Sequence, residues 1–262
     1  MSVLTFDAAL AGALRAAGTD ATVAPSRAAL LHRAYEETRP RVLHLTGTTA
    51  AASPDARDTA GLALRLAGER SALVCLEVDH RAATAAGTKA GTPAGTATGA
   101  AARTLRAWAP RADALIATED GLALCLPDHA AGDTAARAGE LLALGVGEVL
   151  VRHEDGAVTA YTDDGSAHRT GPPAETAQET GGPMPAAGTR APGTGHPATP
   201  ATTATPATGT AAYLAALLGG APAHVRVARA AAGGWSGPPA ARSLCACLVT
   251  NSAAAPVGTP LR

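Results

Sequence analysis

Aromatic side chains are scarce in this chain of 262 residues, making up 2% of it with one Phe, two Trp and three Tyr, so the interior has to be built from smaller groups. The hydrophobic fraction of 47% is largely alanine. A buried Ala contributes far less than a Leu or Phe, whose burial gives roughly 1.5 to 3 kcal/mol, so a thin core of Leu and Val is expected. The length suits one large α/β domain or two small ones. A charge excess of either sign is also lacking: 21 basic and 22 acidic side chains are interspersed and sum to −1. No sustained positive face is therefore available for nucleic-acid phosphates or anionic lipid. No apolar run approaches the roughly 20 residues that span a bilayer. The N-terminal Ala/Leu stretch carries Asp7 and Arg15 and lacks a basic leader region, and a cytoplasmic location is expected. Of the four cysteines, Cys75 and Cys125 lie in apolar runs, while Cys245 and Cys247 form a C-x-C without nearby histidines. They read as ordinary thiols rather than a metal site.

Two segments depart from a globular pattern. Positions 82–101 read AATAAGTKAGTPAGTATGAA, and positions 170–208 are dense in Gly, Pro, Thr and Ala and end in the repeat PATPATTATPAT. Such compositions bury too little apolar surface to offset their ordering entropy, and both are expected to be flexible insertions. The remainder alternates short apolar runs with helical patterns. Strands are expected at Val42–Thr46, 72–78, 113–117, Glu148–Arg152 and 157–161. Helices are expected at 54–67, capped by Ser53 with Pro54 first, at 102–108, at 133–144 closed by Gly145, and after the second insertion at 210–218 and 223–232. This rhythm predicts an α/β fold with a doubly wound, mostly parallel sheet flanked by helices, and ligands beyond the carboxyl ends of the strands. One domain over 1–235 is expected, followed by an irregular tail over 236–262.

Five segments, in order, resemble the ribokinase-like carbohydrate kinases, above all the 2-keto-3-deoxygluconate kinase branch. RVLHLTGTTAAASPDAR at 41–57 is similar to that branch's strand with a Ser/Thr-Gly turn before a helix, and LEVDHR at 76–81 to its F-D-x-N-x-R strand end. ADALIATEDGLALC at 112–125 resembles the strand leading into N-x-x-E. LLALGVGEVLVRHEDGAVTAY at 141–161 resembles the helix, strand and Gly hairpin beside the nucleotide, and AAYLAALLGGAP at 211–222 the helix after the G-A-G-D loop. The resemblance implies transfer of a phosphoryl group from ATP, with Mg²⁺, to a hydroxyl of a sugar or sugar acid. Positioned amides and metal would stabilise the transferring group, and an Asp would take the proton from the attacking hydroxyl.

Several motif positions depart from the family pattern. Counted back from Tyr213, the G-A-G-D positions carry Ala204, Thr205, Pro206 and Ala207, and Pro206 has no N–H while Ala207 accepts no proton. A second register places the loop at Gly193, Thr194, Gly195 and His196, with Gly193 and Gly195 as the anion hole and His196 as the catalytic base. The N-x-x-E positions carry Thr118 and Gly121, leaving Glu119 and Asp120 out of register. Thr118, Glu119, Arg152 and Gly156 are the candidates for nucleotide contact, and Asp79 and Arg81, at a strand end, for substrate. His44 lies within an apolar strand and reads as a satisfied core histidine. Arg152 and His153 are also ordinary as strand-end residues.

The family's first strands, its Gly-Gly sugar motif and most of its lid would precede what 6–18 resembles, and they are expected to be missing. Loss of a positioned base costs about 10² to 10⁴ in rate and loss of one anion donor about 10² to 10³, together roughly 10⁴ to 10⁷. A weak or inactive kinase is thus expected. The competing expectation is a pseudokinase that binds a ligand or a partner, either another copy or a complete kinase subunit, through a sheet edge left open by the missing strands.

Overall fold

The computed structural model describes residues 2–89, 94–126, 133–171 and 206–235. The chain begins with a βαβ unit: β1 (Ser2–Thr5), α1 (Ala8–Ala16) and β2 (Asp20–Val23). Asp7 starts α1 by accepting from the amides of Ala9 and Leu10 at 2.8 and 3.1 Å, which satisfies two of the orphan donors of a helix N-terminus. α2 (Ala28–Thr38), β3 (Val42–Thr46), α3 (Gly47–Ala51), α4 (Pro54–Glu69) and β4 (Leu73–Val78) follow. Then come α5 (His80–Lys89), α6 (Ala94–Trp108), β5 (Ala114–Thr118), α7 (Glu119–Cys125), α8 (Thr134–Ala143) and β6 (Glu148–Arg152). β7 (Val158–Thr162), β8 (Ala167–Thr170), α9 (Pro206–Leu218) and α10 (Ala223–Ala230) complete the order.

All eight strands form one sheet in the order β2-β1-β3-β4-β5-β6-β7-β8. Pairing is parallel from β2 to β6 and antiparallel for β7 and β8. Among the described residues no strand forms a separate lid layer. Helices cover both faces, which is why the central strands read as unbroken apolar runs. On one face α1, α9 and α10 bury Leu10, Leu14, Tyr213, Leu214 and Val227 against Val3, Val42, Cys75, Ile116 and Leu150. On the other, Leu31, Tyr35, Leu64, Leu66, Leu105 and Leu141 pack on Leu4, Leu43, Leu45, Leu76, Leu115 and Val149. The core is therefore Leu and Val with Ala filling, as the composition requires.

Two expectations need correction. No strand was expected ahead of Val42, yet β1 and β2 precede β3 in the chain and extend the sheet beyond it. The four residues of each strand are too few to show a periodicity, and burial of Val3 and Leu4 at 0% exposure is decided by the helices on either side. The segment 82–101, expected to be a flexible insertion, is helical wherever it is described: α5 and the first half of α6 occupy it. Alanine has the strongest intrinsic preference for helix. The Asp79 carboxylate accepts from the amide of Ala82 at 2.9 Å, and both helices pack on α3. Most of the second insertion and the tail 236–262 lie outside the described residues.

Candidate functional site

The carboxyl ends of β4, β5 and β6 stand side by side, through the pairs Val78 with Ala117 and Thr118 with Arg152. Each strand ends in polar residues, so the sheet presents charge there. α7 begins directly at the end of β5, with the Thr118 hydroxyl accepting from the amide of Gly121 at 3.1 Å. Position 121 has to be glycine, because a Cβ would run into the Val78 carbonyl oxygen of β4. The result is a cleft of about 270 Å³ lined by Asp79, His80, Arg81, Thr118, Glu119, Asp120, Arg152, His153 and Glu154. Its lining is acidic on balance. A neighbouring groove shares Glu119, His153 and Glu154 and continues past Asp133 and Thr134 at the start of α8.

Beneath the cleft runs a chain of buried polar contacts. Thr5 meets His44 Nδ1 at 3.0 Å, His44 Nε2 meets Glu77 Oε2 at 3.3 Å, and the Thr210 hydroxyl donates to the same Oε2 at 3.0 Å. Arg152, 9% exposed, is 3.2 Å from Glu77 Oε1 and 3.8 Å from Asp79 Oδ2. Burial pushes the Glu77 carboxyl up, but the His44 hydrogen bond, the Arg152 charge and the Thr210 hydroxyl outweigh it and hold it below the usual carboxylate range. β1, β3, β4, β6 and α9 are thereby tied together at the end of the sheet that carries the cleft. Behind it, Tyr213 donates to Glu148 Oε2 at 2.9 Å and Arg226 pairs with the same oxygen, which fastens α9 and α10 to β6.

The sequence-derived site residues are not all in one place. Asp79, Arg81, Thr118, Glu119 and Arg152 come together at the cleft. Asp79 caps α5 through Ala82. Arg81 is on the rim, 87% exposed and 3.8 Å from Glu154. Gly156 is in the β6–β7 turn with φ +78, donates to the His153 carbonyl at 3.0 Å, and lines neither cleft nor groove. Gly193, Gly195 and His196 lie outside the described residues. Of the first register, Ala204 and Thr205 lie outside the described residues, and Pro206 and Ala207, at its last two positions, form the start of α9.

Residues that sequence reasoning passed over complete the site. His153, taken as an ordinary strand-end residue, has Nδ1 2.7 Å from Glu119 Oε1 and Nε2 2.8 Å from Thr159 Oγ1, with 11% of its side chain exposed. His44 is a core histidine, and it is also the link between Thr5 and Glu77. Three of these pairings join residues 33 to 39 apart in the chain, so no local pattern could have signalled them; the fourth, His153 with Thr159, closes the β6–β7 hairpin.

The sequence matches no known protein-family profile and no curated protein. Solved structures do resemble it. The E. coli ribokinase II in complex with ATP and Mg²⁺ superposes with a TM-score of 0.56 at 13% identity, over 89% of this chain and 74% of that one. The Bacillus subtilis pyridoxal kinase in complex with ADP gives 0.51 at 14%, over 87% and 88%. A PfkB protein from Polaromonas gives 0.48 at 18%, over 74% of this chain, which spans about half the length of that protein at 52%. An eight-stranded, mostly parallel sheet with helices on both faces, shared with kinases of small molecules, makes this chain a protein of the ribokinase-like α/β fold.

Proposed function

We propose that this chain is a kinase-like protein that binds Mg·ATP and a small polyhydroxyl compound, such as a sugar or sugar acid, and transfers phosphate weakly or not at all. The observation that carries the reading is the position of the charged cleft: it lies at the carboxyl ends of β4, β5 and β6, where an open α/β sheet receives its ligand, in a fold shared with a protein named as an ATP and Mg²⁺ complex.

The residues present fit a metal nucleotide better than a bare one. Mg²⁺ keeps several waters and needs only one or two carboxylates beside the phosphates. Asp79, Glu119 and Asp120 could supply these, although among the described residues no three metal-binding side chains converge. An acidic lining repels bare triphosphate and accepts it once a cation accompanies it. When bound, Mg²⁺ would neutralise charge that develops on the transferred group.

Low turnover follows from the other residues. Arg152 is held by Glu77 and Asp79, and Arg81 faces Glu154. Pro206 donates no amide where α9 begins. The same features favour the second reading, a binding module without catalysis, with another copy of the chain or a complete kinase as partner. ATP turnover with 2-keto-3-deoxygluconate and a panel of hexoses and pentoses, for the unaltered chain and His196→Ala, separates the readings. Sugar-dependent turnover abolished by the substitution assigns the base to His196 and overturns the pseudokinase reading. Turnover that survives it keeps the kinase and removes His196. Thermal protection by Mg·ATP without turnover with any sugar leaves the binding module.

A further inference from the structure

His153 has no task in phosphate transfer, yet its surroundings are specific. An ionised carboxylate only accepts hydrogen bonds, so His153 Nδ1, 2.7 Å from Glu119 Oε1, has to carry a proton. In the neutral ring Nε2 is then the acceptor, and the Thr159 hydroxyl, on a residue 5% exposed, donates to it across 2.8 Å. The Thr134 hydroxyl donates to the same Glu119 Oε1 at 3.3 Å. Two donors converge on one oxygen, from the turn after β6 and from α8, and the carboxylate remains 43% exposed at the cleft. A ring fixed from both sides and a carboxylate anchored by one oxygen is the arrangement by which an outer residue orients a ligand-binding one.

We infer that His153 is a positioning residue, which as the Nδ1–H tautomer holds Glu119 by Oε1 and turns Oε2 into the cleft as a ligand for the cation that accompanies a nucleotide's phosphates. The role of Oε2 rests on the kinase-like reading; the tautomer does not. A merely structural contact would tie β6 to α7 equally well and would leave ligand affinity untouched when another donor or an apolar side chain took its place.

Two measurements test this. Long-range ¹H–¹⁵N correlation on histidine-labelled protein is expected to show His153 protonated at Nδ1 near pH 8, with its ring signals displaced in Glu119→Gln and in Thr159→Val. An Nε2–H tautomer, or a ring insensitive to both substitutions, overturns the inference. In the second, Mg·ATP binding is followed by titration calorimetry, with circular dichroism confirming the fold of each variant. His153→Asn, which keeps a donor near the Nδ1 position, is expected within about threefold of the unaltered chain. His153→Leu is expected to bind about 10- to 100-fold more weakly. Equal affinity in both variants overturns the positioning role, as does equal loss in both. Should the unaltered chain bind no Mg·ATP, the kinase-like reading falls, and the tautomer alone then decides whether His153 positions Glu119.

Discussion

Glu77 is the residue on which the cleft floor turns, because it joins His44, Arg152 and Thr210 at one carboxylate. Its folded value lies below that of an unfolded glutamate, about 4.3. The unfolded chain therefore takes up the proton first as pH falls. The stabilisation is complete above roughly pH 5 and is lost as pH drops through the folded value. Glu77→Gln is expected to show a smaller loss of urea midpoint between pH 5 and pH 3 than the unaltered chain, while starting from a lower midpoint. Arg152→Met leaves Glu77 and Asp79 without their common cation and is expected to cost about 3 kcal/mol, measured by the same denaturation. The thiols behave in the opposite sense to Glu77. Burial pushes Cys125 up to about 12 and raises Cys75 well above its usual value. Neither is expected to react with a thiol reagent at pH 8 until denaturant is added, which mass mapping of labelled peptides checks.

At the scale of elements, α7 and α9 decide the shape of the site. Gly121→Ala drives a methyl group into the Val78 carbonyl, so α7 has to shift away from β4. An overpacking cost of about 1 to 3 kcal/mol is expected, and on the kinase-like reading Mg·ATP binding also weakens, because Glu119 and Asp120 move with the helix. For α9, Tyr213→Phe removes the hydroxyl that reaches Glu148. A loss of about 1.5 to 3 kcal/mol is expected for a hydrogen bond to a charged group, with amide exchange accelerating in α9 and α10 before the sheet. Uniform acceleration across the sheet would show that these helices do not open separately. The strands β3 to β7 and the helices α4 and α8 were legible, since Ser53 caps one periodic run and Gly145 closes the other. β1 and β2 were not, because their identity comes from what they pack against, and α5 was not, because its Gly and Thr content outweighed the alanines and the Asp79 cap in the reading.

For the whole molecule, the two faces of the sheet differ in how they are covered. One face is closed by helices from the middle of the chain, the other by α1 with α9 and α10, which return after position 205. A chain ending at 205 would expose Val42, Cys75, Ile116 and Leu150. Such a truncation is expected to bind a hydrophobic dye and to lose its cooperative thermal transition, and a sharp transition in it would show that the sheet needs only one complete face.

Composition and order of elements fixed the class of fold: unbroken Leu and Val runs alternating with capped helices have few solutions other than a mostly parallel sheet covered on both faces. The strand-end location of Asp79, Glu119 and Arg152 was also readable, because each closes an apolar run. Tertiary structure decided what those residues do. Whether Arg152 meets a phosphate or is held by Glu77 and Asp79, and whether His153 is ordinary or grips Glu119, depends on strands that become neighbours only in the folded sheet. Electrostatic and hydrogen-bond energies fall off over a few ångströms, and sequence separation carries no information about that distance.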